Sequence, residues 1–169
     1  MNRTQIIAYQ AAFREFADIR DWHSPHAFTL TMKQGIRPPF EPATATEYLT
    51  REKASRNFRH FINIMNKRVF GTAASRHGKR LPVIPVIEGG SEKRLHYHGV
   101  IDCPQDDLIG LFPLIIQTTW TATKWAWNEI DIQPDADRGW INYISKTNDK
   151  PDYAGAIDWE NFQPLDCRV

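Results

Sequence analysis

The sequence predicts an α+β domain in which helices pack on a mostly antiparallel sheet, and three observations carry that prediction. Apolar residues recur at helical spacing in some segments and alternate or cluster with β-branched residues in others, in the order α-β-α-β-β-α-β-α. Two neighbouring strand segments are joined by Gly89-Gly90-Ser91, turn chemistry that makes them an antiparallel pair. The 169 residues, 41% hydrophobic and 12% aromatic, suffice for one buried core without disulfides or a structural metal.

Residues 3–20 place Ile6, Tyr9, Phe13 and Phe16 on one helical face. His26 to Lys33 (HAFTLTMK) is β-branched and aromatic and stops at Gln34-Gly35, a strand followed by a turn. Pro38, Pro39 and Pro42 impose an irregular segment. Thr44 and Glu47 have capping-box spacing and predict a helix start. The stripe Ala54, Phe58, Phe61, Ile62, Met65 and Val69 carries this helix to about Phe70, where Gly71 can cap it. Leu81 to Glu88 reads as a strand whose Pro82 and Pro85 suit an edge or a bulge, and Leu95 to Asp102 is its returning partner. Asp106 and Asp107 introduce a helix bearing Leu108, Leu111, Phe112, Ile115 and Ile116, kinked or split at Pro113. Trp125 to Ile132 is a further strand, and Asp135 or Asp137 caps a last helix, GWINYISKTNDK. The expected organisation is a single domain, 1–169, with an N-terminal helix over 3–20 and a C-terminal tail over 150–169.

Several classes are excluded. No run of 18 apolar residues exists, so no transmembrane helix is expected, and the charged N-terminal stretch is unlike a signal peptide. Cys103 and Cys167 make no disulfide framework, which points to the cytoplasm and to inert thiols. The net charge of +1 conceals a segregation: residues 51–80 hold nine Lys/Arg against one acid, and residues 129–166 hold nine acids against three bases. A local charge of +8 suits a polyanion, although a solvated helix face would read the same way.

The chemistry centres on His96-Tyr97-His98. Strand alternation puts both imidazoles on one face and Tyr97 on the other. If the Gly-Gly turn closes a hairpin with residue 88 opposite residue 96, Glu88 joins the histidine face. Two nitrogens and a carboxylate, without thiolates, favour Mg²⁺ or Mn²⁺, with Zn²⁺ compatible. The bland alternative is a pair of half-exposed strand histidines beside a turn glutamate. Tyr143 and Lys146 lie three apart and share a helix face. A phenol with a pKa near 10 attacks phosphorus only with a metal on the phosphate and a cation to settle the phenolate, a part open to Lys146.

These blocks, in this order, resemble the HUH endonucleases, and among them the replication-initiator (Rep) branch that starts rolling-circle replication. Phe28-Thr29-Leu30-Thr31 is similar to the first Rep motif, Leu95 to Asp102 to the His-hydrophobic-His motif, and Tyr143 to Lys146 to Tyr-x-x-Lys. The resemblance implies an RRM-like, five-stranded antiparallel sheet with Glu88, His96 and His98 holding Mg²⁺ or Mn²⁺ and the tyrosine helix above them. It implies nicking and joining of single-stranded DNA or an origin stem-loop through a 5′-phosphotyrosyl intermediate on Tyr143, with Lys146 assisting. Thr147 stands where a second tyrosine would be, so a single-tyrosine enzyme is implied. No Walker A motif occurs, so a helicase would be a separate partner, beside host replication proteins; no membrane is involved. Candidate DNA contacts are Thr29, Thr31 and Lys33 of the first motif, and Arg51, Arg56, Arg59, Lys67, Arg68, Arg76, Lys79 and Arg80 of the basic run.

The alternatives are a single-tyrosine transposase or relaxase of the same superfamily, a non-catalytic nucleic-acid module, and a zinc domain using His96, His98 and Cys103, which lacks any CxxC. Tyr97 and the tryptophans are expected in the core. His23, His60 and His77 are expected at surface or satisfied core positions, as is His26, which could also approach DNA beside the first motif.

Overall fold

A computed structural model describes residues 2–90, 93–146 and 153–165. Its main sheet contains β1 (Pro25–Met32), β4 (Val83–Glu88), β5 (His96–Asp102) and β6 (Ala126–Gln133). The strands run in the order β4-β5-β1-β6, every neighbour antiparallel. The class is the one expected, but the strand count among the described residues is four, not five. The short β2 (Gly35–Ile36) and β3 (Glu47–Tyr48) form a separate two-stranded sheet. Beyond β4, a C-terminal segment makes only two isolated bridges, Val86 to Ile157 and Val83 to Gln163. Pro85 explains the gap. Its carbonyl accepts from the Asp158 amide on this outer edge, but it has no N–H to return, so the ladder cannot continue. Pro82 and Pro85 thus mark an edge strand, as their positions in the sequence implied.

Helices cover both faces. On one, α2 (Arg51–Phe70) and α4 (Phe112–Thr121) bury Phe58, Phe61, Ile62, Met65, Phe112, Ile116 and Trp120 against Phe28, Leu30, Met32 and Tyr97. On the other, α1 (Arg3–Phe16) and α5 (Arg138–Ile144) bury Phe13, Ile141 and Ile144 against Ala27, Ile84, Val86 and Val100. The stacked faces alternate residue by residue along β1 and β5, as a pleated strand requires. A short α3 (Thr72–Arg76) follows α2, and α6 (Tyr153–Ala156) precedes the C-terminal bridges.

Four boundaries differ from the sequence expectation. The Thr44/Glu47 capping box does not form: Ala43–Ala45 is a single 3₁₀ turn, and Glu47 lies in β3 with its carboxylate between Lys124 (2.6 Å) and Lys53 (3.1 Å). The helix starts later, where the Thr50 hydroxyl accepts from the Lys53 amide at 3.3 Å. Pro113 sits in the first turn of α4 and starts it, a position where a missing N–H costs nothing; Asp106–Leu108 upstream is a 3₁₀ turn. α1 stops at Phe16 rather than residue 20. α5 ends at Ile144, because the last turn tightens, with the Lys146 amide donating to Tyr143 O, while Gln10 Nε2 takes the Ser145 carbonyl at 2.6 Å. Residues 147–150 of the expected last helix, including Thr147, lie outside the described residues, as does Cys167.

Candidate metal centre and tyrosine helix

The β4–β5 hairpin sets the register: Glu88 stands opposite His96 and Val86 opposite His98. Gly89 makes the turn possible with φ of +95°, and a Cβ there would overlap the Arg94 carbonyl. Gly99 serves a different need. Its face lies against the Phe28 ring and the Ile84 carbonyl with no room for a side chain, so β5 can sit tightly between β1 and β4 directly after the histidines.

Glu88, His96 and His98 present ligand atoms that all lie within 4.8 Å of one another. The two Nε2 atoms are 3.1 Å apart, and Glu88 Oε2 lies 4.0 Å from His96 Nε2 and 3.8 Å from His98 Nε2. The far side of each ring is fixed. His96 Nδ1 meets the Arg94 carbonyl at 2.8 Å and must donate to it, so its Nε2 carries a lone pair. His98 Nδ1 meets Thr29 Oγ1 at 2.9 Å, and a hydroxyl can accept or donate. When the hydroxyl accepts, both Nε2 lone pairs and a carboxylate converge on one point, an arrangement that a divalent cation stabilises and that the outer hydrogen bonds orient. The donor set fits such a cation. Of the candidate metal ligands, the structure brings together all three.

α5 lies on the same face. Asp137, one of the two expected caps, accepts from the Gly139 amide at 2.7 Å and starts it; Ile141 and Ile144 anchor it in the core. Its other end is held by α1, from which Arg14 Nε donates to Ser145 Oγ at 2.7 Å and Gln10 donates to the Ser145 carbonyl. This directs Tyr143 to the histidines: its ring meets His98 edge to face, centroids 5.7 Å apart, and remains 46% exposed. Lys146 Nζ lies 5.0 Å from the centre of the Tyr143 ring. The phenol and its cation therefore stand beside the three ligands, reachable from solvent.

The candidate DNA contacts divide. Thr29 and Thr31 are on the histidine face, Thr29 bonded to His98 and Thr31 donating to Glu129 O at 2.6 Å; Lys33 follows at the end of β1. The basic run belongs to the opposite side of the sheet. Arg56, Arg59, Lys67 and Arg68 line the outer surface of α2, Arg76 ends α3, and Lys79 and Arg80 follow it. Arg59 pairs with Glu160 at 2.5 Å and bonds Asn161, Arg68 donates to Thr118 Oγ1, and Arg80 to the Ala74 carbonyl. Arg51 is the nearest of them, its guanidinium reaching the Gly89 and Gly155 carbonyls. The charge segregation is thus partly satisfied within the chain, where basic α2 meets the acidic C-terminal segment.

The same segment is fastened by a buried network. Asp158 accepts from Tyr97 OH (2.8 Å), Ser55 Oγ (3.0 Å) and Asn161 Nδ2 (2.7 Å). Burial and the adjacent carboxylate push the Tyr97 phenol far above its usual range, so it stays a donor. His26 is fully buried against Phe112, away from the metal centre. Cys103 is buried too, and burial pushes its thiol up, in keeping with an inert role. Tyr97, Trp22, Trp120 and Trp125 are core, as expected, but Trp127 and Trp159 are exposed. Trp127 and Arg94, whose guanidinium lies 5.1 Å from the Trp127 ring centre, were not marked by sequence; Arg94 is two residues before His96, the spacing that shares a strand face.

No helix among the described residues is long and apolar enough to cross a membrane. The family model for the replication-associated protein ORF2 matches residues 25–152, which span β1 through the tyrosine helix. No curated protein and no solved structure matches significantly. The match covers well over half of the chain, so the chain belongs to this replication-associated protein family.

Proposed function

We propose that this member of the replication-associated protein family is an HUH-type, single-tyrosine nuclease that nicks and rejoins single-stranded DNA, or an origin stem-loop, to start rolling-circle replication. The observation that carries the reading is the packing of Tyr143 against His98, with Lys146 at the ring and Glu88 and His96 on the same face. Glu88, His96 and His98 would hold Mg²⁺ or Mn²⁺, which when bound draws charge from the scissile phosphate. Tyr143 Oη attacks the phosphorus. The new bond is Oη–P, the bond that breaks is P–O3′, and the phenolic proton is balanced by the one the 3′-oxygen takes up. The products are a 5′-phosphotyrosyl strand and a free 3′-OH, and attack by a 3′-OH on that linkage restores the phosphodiester and the phenol. Lys146 offsets the phenolate charge on the way in and out. A separate helicase and host replication proteins in the cytoplasm complete the proposed setting.

The test is a denaturing gel of the chain with labelled stem-loop oligonucleotides and Mn²⁺. A covalent band is expected that disappears with Tyr143→Phe and with EDTA. Binding that ignores EDTA, with no cleavage of any substrate, would favour the non-catalytic module. Preference for transposon ends over origin hairpins would favour the transposase alternative.

A further inference from the structure

The metal centre does not fill its face of the sheet. α1 and α5 cover the end near Ala27 and Val100, whereas no helix among the described residues lies over the end that holds Thr31 and Arg94. There β6 departs from regular pairing. Leu30 pairs with Ile130 but Met32 pairs with Ala126, so four steps of β6 match two of β1 and residues 127–129 bulge out. Bulges re-aim side chains, and this one carries Trp127 to the surface while its neighbours Trp125 and Ala126 stay in the core. An exposed tryptophan on a strand needs a reason, since burial would have stabilised the fold.

Arg94 supplies one. Its carbonyl fixes the His96 ring, and its side chain crosses toward β6 to lie over Trp127. Leu95 between them is buried in the α2-side core, which leaves Arg94 and His96 on the other face. Lys33 and Asn128 line a shallow groove of about 290 Å³ beside the indole. Two strand spacings separate β5 from β6, so the indole lies on the order of 10 Å from the histidine row, the reach of one or two nucleotides. Ile130 and Ile132 pack toward the α2 side, which places Glu129 and Asp131 on the histidine face, both exposed. These acids repel a phosphate chain farther along β6 and confine it to the Arg94 and Lys33 end.

Resting on the proposed nuclease reading, we propose that Trp127 and Arg94 form a stacking subsite for one unpaired nucleotide of the DNA strand, next to the metal centre. The indole stacks on the base, and Arg94 and Lys33 face the adjoining phosphate. Such stacking tolerates any base, so the subsite sets strand position and single-strandedness and not sequence.

The experiment is fluorescence anisotropy of fluorescein-labelled dT15 with the full chain in EDTA, comparing wild type, Trp127→Ala, Trp127→Phe and Arg94→Ala. Trp127→Ala is expected to weaken binding roughly 5- to 150-fold, the range of one lost base stack, while Trp127→Phe retains most of it. Mn²⁺ affinity, measured by calorimetry on the same variants, is expected to stay at the wild-type value. Unchanged dT15 affinity in Trp127→Ala overturns the proposal, as does no dT15 binding by wild type, or an equal loss of Mn²⁺ affinity. A chain that binds dT15 through Trp127 yet forms no covalent adduct sinks the nuclease reading and leaves the subsite standing. A chain that forms the adduct with dT15 affinity indifferent to Trp127 sinks the subsite alone.

Discussion

Replacing Thr29 with valine tests the metal centre without touching a ligand. The side chain keeps its shape and loses only the hydroxyl that meets His98 Nδ1 at 2.9 Å. Cation binding through Nε2 requires the proton on Nδ1, and His98 is buried, so in the variant that N–H loses the oxygen it donates to. Taking the acceptor from a buried donor costs about 1–3 kcal/mol, which is roughly 5- to 150-fold in affinity. Loss of an outer-shell partner of a ligating histidine falls in the same range, about 10- to 100-fold. Calorimetric titration with Mn²⁺ should therefore show that loss for Thr29→Val and recovery for Thr29→Ser. Wild-type Mn²⁺ affinity in Thr29→Val would refute the assigned role of the hydroxyl, and Thr29 would again be a candidate DNA contact alone.

Three further outcomes are expected. Gly99→Ala drives a methyl into the Phe28 ring and the Ile84 carbonyl, and urea unfolding should show a loss near the upper end of the overpacking range, about 3 kcal/mol or more. Tyr97→Phe removes one of three donors to buried Asp158 and should cost about 1.5–3 kcal/mol by the same assay, leaving Mn²⁺ affinity unchanged. Hydrogen bonds from Lys124 and Lys53 lower the Glu47 pKa, so its contribution is present above the ordinary glutamate value of about 4.3 and is lost as pH falls through the folded value. The Tm gap between wild type and Glu47→Gln should accordingly be largest near neutrality, shrink in acid, and narrow with added salt.

The metal ligands were legible because strand alternation and a hairpin register are local rules. His96 and His98 needed only period two, and Glu88 needed only the pairing of residue 88 with 96. Tyr143 and Lys146 were legible from helical spacing, although nothing local to them signals that Gln10 and Arg14 end their helix early. The basic run misled for a related reason. Charge density along the chain says nothing about which side of a sheet a helix will cover, and α2 covers the side away from the histidines. Thr44 and Glu47 had the right spacing for a cap, but tertiary partners for Glu47 on Lys124 outweighed a local bond. The fifth strand was implied by likeness alone, and Pro85 denies it a ladder.

The nucleophile rides on a helix of only seven residues, too short to hold its own shape in water. Its aim is therefore borrowed. Arg14 and Gln10 grip one end from more than 130 residues away, and α1 is itself braced by Phe13 and Phe16 against Trp159 and Phe162. Those braces lie outside residues 25–152, the part matched by the family model. In-line attack on phosphorus is unforgiving, since a misplacement of about 1 Å can cost ~100-fold. The family's chemistry in this chain is thus tuned from its periphery, and trimming the chain to the matched residues should keep the ligands while loosening the tyrosine that needs them.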